Sequence, residues 1–224
     1  MIERLEYLKN NYSLPKEHLD YLIYMRDQLN VMPEVIYDIG ACTLHWYMAA
    51  RLVWPSSRII AFEAMTSCRE LYELHGVEYH CDLLGPPSYL VDFYENEHDP
   101  AGNSYYLENS QINPNAPRYY NDSNKTRRYT HSLDAIVALR QFPLPNLIKM
   151  DVQGAELDIM KYGKNCVDHA NNIILETQSI PYNQGAPLEP EINQYLKDQG
   201  FKLVKKRFSG DHIQGDSHYT RQNK

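Results

Sequence analysis

The stretch Asn146-Leu-Ile-Lys-Met-Asp-Val-Gln-Gly-Ala-Glu156 constrains this chain more than any other. Its apolar residues from 147 to 152 read as a buried strand, and 154–162 as a helix that follows at once. Lys149 and Asp151 interrupt the apolar run near the strand's carboxyl end, and Glu156 falls in the first helical turn. A charge in a buried strand costs stability unless it has a partner or a task. Ligands of open α/β sheets bind at that same edge. Val35-Ile-Tyr-Asp-Ile-Gly-Ala41 has the same habit far upstream. Together the two strands point to a nucleotide-like cofactor held over the strand ends, with polar chemistry beside it.

The chain around them alternates. Two helical stretches fill residues 1–33, with Ile2, Leu5 and Leu8 on one face and Leu19, Leu22, Ile23 and Leu29 on another, until Pro33 stops them. Strands are expected at Val35–Ile39, Arg58–Glu63, 77–83, 147–151, 172–177, 201–208 and 217–221. Helices are expected at 43–53, 67–75, 132–141, 154–162 and 189–199. Ser132 and Asp134 suit a helix start, and Gly200 suits a helix end. Residues 85–131 break the rhythm with Asn, Pro, Tyr and Gly, and hold one expected strand at 89–95. A break this long inside a compact domain is usually functional or disordered. Strands alternating with helices mean an α/β fold with a mostly parallel sheet covered on both faces. The last two strands lack a helix between them and should pair antiparallel. That reversed ending is the class I methyltransferase variant of the Rossmann sheet. The organisation expected is an N-terminal helical segment (1–33) packed on one domain (34–224) with an insertion at about 85–131.

A net charge of −7 argues against a large nucleic-acid surface. The basic runs Lys125/Arg127/Arg128 and Lys202/Lys205/Lys206/Arg207 read as solvated faces. Cys42, Cys68, Cys81 and Cys166 lack zinc-ligand spacing. No signal peptide and no apolar run long enough to span a membrane is visible, so a cytoplasmic location is the default expectation.

Particular residues narrow the chemistry. Gly40 permits a tight turn after the first strand, beside Asp38. The dinucleotide fingerprint needs three glycines to seat a pyrophosphate, and only Gly40 is present. That favours a cofactor without phosphates, such as S-adenosylmethionine. Glu63 ends the second strand, where an acidic residue commonly chelates both ribose hydroxyls. Asp82 ends the third, suited either to an adenine amino group or to capping the chain. Asp151 with Lys149 is the best candidate reaction centre, unless the pair only fixes packing. The nearness of Glu176 depends on where the final hairpin pairs.

Ile148-Lys-Met-Asp-Val-Gln-Gly-Ala-Glu-Leu-Asp158 closely resembles the signature of FkbM-type methyltransferases. Tyr37-Asp-Ile-Gly-Ala41, Ala61-Phe-Glu63, Ser132-Leu-Asp134 and Ile174-Leu-Glu176 add to the likeness, which spans roughly residues 35–221. The resemblance implies S-adenosylmethionine-dependent O-methylation, often of a sugar hydroxyl on a glycan or a glycosylated small molecule. It puts the cofactor on Asp38, Gly40, Ala41, Glu63 and Asp82, with His45, Ala64 and Asp151 as further contacts. It puts Lys149, Asp151 and Glu156 around the reaction centre. Ser104, Tyr105 and Tyr106 are expected to form the acceptor cleft. Asp151 would take the acceptor's proton, or help hold a divalent cation that acidifies the hydroxyl.

Two departures from the family stand out. In the first loop Cys42 replaces an asparagine and Leu44 a glycine, and Leu44 would either narrow the space for the methionine moiety or be tolerated because its position opens a helix; after the second strand Ala64 replaces a proline. Leu44 is the best support for a rival reading, a non-catalytic glycan- or partner-binding module on a degenerate methyltransferase fold. An NAD-dependent sugar oxidoreductase would need pyrophosphate glycines and a Tyr/Lys pair that Lys161 and Tyr162 do not supply. A nucleic-acid methyltransferase conflicts with the acidic balance.

Overall fold

The computed structural model describes residues 2–11, 14–96 and 100–222. Two helices open the chain, α1 (Ile2–Asn11) and α2 (Lys16–Asp27). Then come β1 (Val35–Ile39), α3 (His45–Val53), β2 (Arg58–Glu63), α4 (Cys68–Leu74) and β3 (Glu78–Cys81). The irregular stretch holds β4 (Leu90–Tyr94), α5 (Ala116–Tyr119) and β5 (Lys125–Tyr129). Alternation resumes with α6 (Leu133–Arg140), β6 (Leu147–Met150), α7 (Glu156–Lys161), α8 (Lys164–His169), β7 (Asn172–Gln178) and α9 (Glu189–Asp198). A hairpin of β8 (Phe201–Gly210) and β9 (Gln214–Arg221) closes the fold.

Seven strands form one sheet in the order β3-β2-β1-β6-β7-β9-β8. The first five are parallel, and β9 runs antiparallel between β7 and β8. Because β9 takes the outer side of β7, β7 remains beside β6. The chain winds outward from β1 in one direction and from β6 in the other, so the crevice between their carboxyl ends is the topological switch point.

Strand alternation sorts side chains onto two buried faces. Ile36, Ile59, Leu147 and Ile174 pack with α1–α4 residues such as Leu5, Leu22, Ala50 and Leu71. Tyr37, Ile60, Ile148 and Ile173 pack on the other face with Leu133, Ile159, Val167 and Leu196. The period of two has a consequence at the carboxyl edge. Asp38, Glu63, Lys149 and Glu176 share the parity of Ile36, Ile59, Leu147 and Ile174, and Asp216 is the register partner of Glu176. Charges from five strands are thereby gathered toward the face that α2 covers.

The elements differ from the sequence expectation where the backbone turns left-handed. Leu44 has φ 71°, so α3 starts at His45 rather than at 43. Gln153 (φ 55°) and Gly154 (φ 102°) delay α7 to Glu156. The run Lys125/Arg127/Arg128, read as a solvated face, forms strand β5 against β4. Lys125 and Arg127 reach Asp92 across that ribbon at 3.1 and 3.8 Å. Among the described residues no helix is long and apolar enough to cross a membrane.

Candidate active site

Gly40 is where β1 meets β6. A Cβ there would lie 1.9 Å from the Asp151 carbonyl oxygen. Only glycine lets the two strand ends close to this distance, and its φ of 78° belongs to the left-handed region. The amides of Gly40 and Ala41 donate to the Phe62 carbonyl at 2.9 and 3.1 Å, which ties the loop to β2 as well. Cys42 (φ 44°) and Leu44 are left-handed without being glycine, a strain of about 1–3 kcal/mol each that functional loops commonly hold. The Leu44 side chain is buried in the core with the α2 and α3 residues and is absent from the cavity wall beside this loop. The expected narrowing by Leu44 is therefore corrected: its side chain leaves the loop on the core side.

Glu63 closes the far side of the loop. Its Oε2 accepts from the Cys42 amide and its Oε1 from the Met65 amide, both at 2.8 Å. Burial pushes its carboxyl above the usual range, while the Met65, Cys42 and Ala64 backbone groups pull the other way. One backbone donor per oxygen fixes the carboxylate and leaves each oxygen a further lone pair. Asp82 lines the same cavity, with Oδ1 accepting from its neighbour's amide, Leu83, at 2.8 Å. His45 and Ala64 also line it. The His45 ring meets the Leu8 carbonyl at 3.2 Å, and the Ala64 carbonyl accepts from Arg128 at 2.7 Å.

At the end of β6, Lys149 is the hub. Its ammonium donates to the Gly40 carbonyl at 3.2 Å and lies 3.4 Å from Asp38 and 3.8 Å from Asp151. Burial alone would lower its pKa, but Asp38, Asp151 and Asp216 outweigh it and hold the pKa above the usual lysine value. Lys149 is thus a fixed cation and not a base. Asp38 is completely buried, does not line the cavity, and among the described residues has no hydrogen-bond partner for either carboxylate oxygen. It holds Lys149 from behind the Gly40 loop, which corrects the expectation that it touches a cofactor directly.

Asp151 is the carboxylate with access: its side chain is 38% exposed on the cavity wall. Gln153 donates from Nε2 to Asp151 at 3.0 Å and to Glu176 at 2.6 Å, joining β6 to β7. Burial, reinforced by Asp151, Asp216 and Glu156, pushes Glu176 well above the usual carboxylate range. Glu156 has a different task from the expected one. Its oxygens accept from the amides of Val152 (3.0 Å) and Gly154 (3.1 Å), and it does not line the cavity. It clamps the turn that carries Asp151 and is a positioning residue.

The sequence reading missed two residues here. Asp216 of β9 lines the cavity and receives His18 Nδ1 at 3.2 Å. The Trp46 indole donates to His18 Nε2 at 2.8 Å. Since indole only donates, Nε2 is the acceptor and Nδ1 carries the proton that points at Asp216. In the sequence Asp216 stands within Gly215-Asp-Ser-His-Tyr219, a stretch that also resembles a family feature. Nothing marked His18, which reaches the site only through the packing of α2.

The expected acceptor residues do mixed work. Ser104 is buried and donates to the Gln153 carbonyl at 2.9 Å. The hydroxyls of Tyr105 and Tyr106 both donate to Asp158 of α7, at 3.1 and 2.8 Å. Ser104 and Tyr105 line the cavity, whereas Tyr106 packs into the core beneath it. This segment straps the insertion onto the turn of Asp151. The whole cavity measures about 350 Å³, with Ile39, Phe62, Leu84 and Phe93 among its apolar walls. Asp151 as a share of a divalent-cation site has no support from its neighbours: among the described residues no group of three or more His, Cys, Asp or Glu side chains is disposed to hold a metal ion.

Comparison with known proteins gives the site a context. Residues 38–203 match the family model described as the methyltransferase FkbM domain. The fold is similar to a candidate O-methyltransferase from Klebsiella pneumoniae at 11% identity, over 99% of this chain and 90% of that one, with a TM-score of 0.53. It is similar to an S-adenosylmethionine-dependent methyltransferase from Clostridium acetobutylicum ATCC 824 at 9% identity, over 96% and 95% of the two chains, with a TM-score of 0.51. No curated protein matches the chain in sequence. At such identities the likeness speaks for the fold alone, and that fold is the class I methyltransferase sheet.

Proposed function

The chain belongs to the FkbM-domain methyltransferase family, and from that premise we propose that it methylates a hydroxyl of a sugar-containing acceptor, using S-adenosylmethionine. The donor set of the first cavity fits that cofactor. Glu63, fixed by two backbone amides, offers one lone pair per oxygen to a vicinal pair of ribose hydroxyls. Asp82 supplies an acceptor suited to an adenine amino group, and the apolar walls suit the base. The carboxylates Asp151 and Asp216 suit the positive charges of the methionine end. The size falls in the range of about 300–1,000 Å³ typical of small-molecule sites. When bound, S-adenosylmethionine supplies a methyl group on a positively charged sulfur, ready for transfer to oxygen.

The residues of this chain then have two tasks, alignment and proton removal. Asp151 accepts the proton of the acceptor hydroxyl. Lys149, held as a cation by Asp38, keeps Asp151 in place. Gln153 fixes the remaining rotation by bonding Asp151 to Glu176. The observation that carries this reading is the doubly anchored Glu63 in one cavity with Asp151. The rival binding-module reading rested on Leu44, whose side chain lies in the core.

Calorimetric titration with S-adenosylhomocysteine, followed by transfer of labelled methyl to a panel of glycosides, tests the proposal. Glu63→Gln should weaken S-adenosylhomocysteine by roughly tenfold or more, since an amide puts a donor where an acceptor is needed. Asp151→Asn should weaken that affinity by no more than about tenfold and lower turnover at saturating S-adenosylmethionine by about 10²–10⁴-fold. A folded protein that does not bind S-adenosylhomocysteine would return the binding-module reading to the lead.

A further inference from the structure

The segment that matches the family, residues 38–203, does not build the first cavity alone. Leu14, Pro15 and His18 from the N-terminal helical segment, and Gly210 and Asp216 from the closing hairpin, complete its wall. Asp216 stands apart from the other carboxylates there. Asp151 and Glu176 also line a second cavity of about 400 Å³ on the insertion side, which shares Ala101 and Gln153 with the first. Asp216 lines the first and not the second.

His18 of α2 fixes this carboxylate. Its Nε2 accepts from the Trp46 indole at 2.8 Å, so the ring proton sits on Nδ1, 3.2 Å from Asp216 Oδ2. The Phe208 ring meets the imidazole edge-on at 5.0 Å, and His18 is buried. The ring is held in one tautomer and one place, with neither nitrogen free to exchange a proton with a ligand. His18 is a positioning residue.

The other carboxylate oxygen is left over. Asp216 Oδ1 is buried and has no hydrogen-bond partner among the described residues. A buried acceptor without a donor is costly. His18 brings a donor to Oδ2 but no charge, because its Nε2 is an acceptor. Cations on nearby strands are engaged elsewhere: Lys149 contacts Asp38 and Asp151, and Lys206 and Arg207 of β8 pair with Glu189 at 2.8 and 2.7 Å. Glu63 ends β2, and Asp216 stands on β9 with β1, β6 and β7 between them. A ligand held at its ribose by Glu63 thus has its far end on the Asp216 side of the cavity.

We propose, on the reading of this cavity as an S-adenosylmethionine site, that Asp216 takes the α-ammonium group of the methionine end through Oδ1, and that His18 positions it. An ammonium group supplies both the donor and the charge that this oxygen lacks, and such charge-assisted bonds are the strong ones. The N-terminal helical segment is then a working part of the cofactor site as well as a cover for the sheet.

Calorimetry on the full chain with three probes tests this. They are S-adenosylhomocysteine, its analogue without the amino group, and methylthioadenosine, which lacks the whole amino acid. The wild type should bind the desamino analogue roughly tenfold or more weakly than S-adenosylhomocysteine. Asp216→Asn should erase most of that preference and leave methylthioadenosine within about twofold of its wild-type affinity. His18→Leu should weaken S-adenosylhomocysteine in the wild-type background and add little to Asp216→Asn, because the two act as one unit. His18→Asn keeps a donor toward Asp216 and should restore most of the affinity. Equal binding of S-adenosylhomocysteine and the desamino analogue by the wild type would overturn the proposal without any variant. So would an Asp216→Asn protein that weakens all three probes alike, or none of them. A His18→Leu loss shared by methylthioadenosine would overturn the positioning role. Methylthioadenosine also separates this failure from that of the proposed function: a wild type that binds it and ignores the amino group sinks the role of Asp216 alone, whereas one that binds no probe sinks both.

Discussion

The two cavities meet at Asp151 and are built in opposite ways. The first has mostly apolar walls and a few carboxylates held in place by backbone groups, and its floor comes from the ends of β1, β2 and β3 and their short loops. The second has polar walls assembled from residues 101–120, from 176–182 at the end of β7, and from Gln214 at the start of β9. Both draw distant segments together, the first from Leu14 to Asp216 and the second from Ala101 to Gln214. The first cavity should tolerate little change at the backbone of its Gly40 loop, whereas the polar second one is set by side-chain identity.

The sharpest way to break that contrast is Gly40→Ala. Its Cβ would overlap the Asp151 carbonyl, a backbone group that cannot rotate away. Left-handed strain of roughly 1–2 kcal/mol adds to an overpacking cost near about 3 kcal/mol, so a loss of about 4 kcal/mol is expected. S-adenosylhomocysteine binding should fall below detection, while hexoside binding by the folded fraction should fall less. Chemical denaturation and calorimetry would check both. A variant with wild-type stability and affinity would mean that the β1–β6 approach is not what shapes the cavity.

The sequence revealed this half of the site for a physical reason. Asp38, Glu63 and Asp151 each interrupt or end an apolar strand, and a charge in such a run is conspicuous. Their grouping at one edge follows from a parallel sheet. The rest left no such mark. Strand β5 is Lys-Thr-Arg-Arg-Tyr, a ribbon paired only with β4 and outside the main sheet, so it shows no apolar alternation. Asp216 enters through the register of a hairpin, and His18 through the docking of a helix; both are tertiary facts. Leu44 misled because a leucine in a left-handed turn runs against its intrinsic preference, and only the core around it explains why it is tolerated. Glu156 looked catalytic for the same reason as Asp151, a carboxylate just after a strand. Only the amides of Val152 and Gly154 reveal it as a clamp.

Lys149→Met attacks the junction between the two regions. It leaves the Asp38 carboxylate buried without its cation. Removing one member of a buried pair costs about 3–5 kcal/mol, and the low end is expected because Asp38 can take a proton in response. Burial already pushes Asp38 upward against the pull of Lys149. The double variant Asp38→Asn with Lys149→Met should recover much of the stability and none of the turnover. Denaturation midpoints of the two variants read the first effect, and methyl transfer reads the second. Equal stability of the single and double variants would show that Asp38 does not depend on Lys149.

The smallest effect separates the clamp from the base. Burial raises Glu156 to about 7, with backbone hydrogen bonds from the turn pulling the other way. In the unfolded chain the same group titrates near 4.5. An acid whose folded pKa is raised favours folding in its protonated form. Its contribution is complete below the unfolded pKa and is lost as pH rises through the folded one. Between pH 5 and 7 this single group should therefore remove about 2 kcal/mol of stability. Glu156→Gln keeps an acceptor for one turn amide and cannot ionise, so its melting temperature should vary less over that interval than the wild type's. The pH profile of turnover should keep its shape in Glu156→Gln, because in the proposed mechanism Asp151 and not Glu156 receives the proton. An unchanged slope of stability with pH would show that the turn holds Glu156 ionised. A displaced turnover profile would return Glu156 to the chemistry itself.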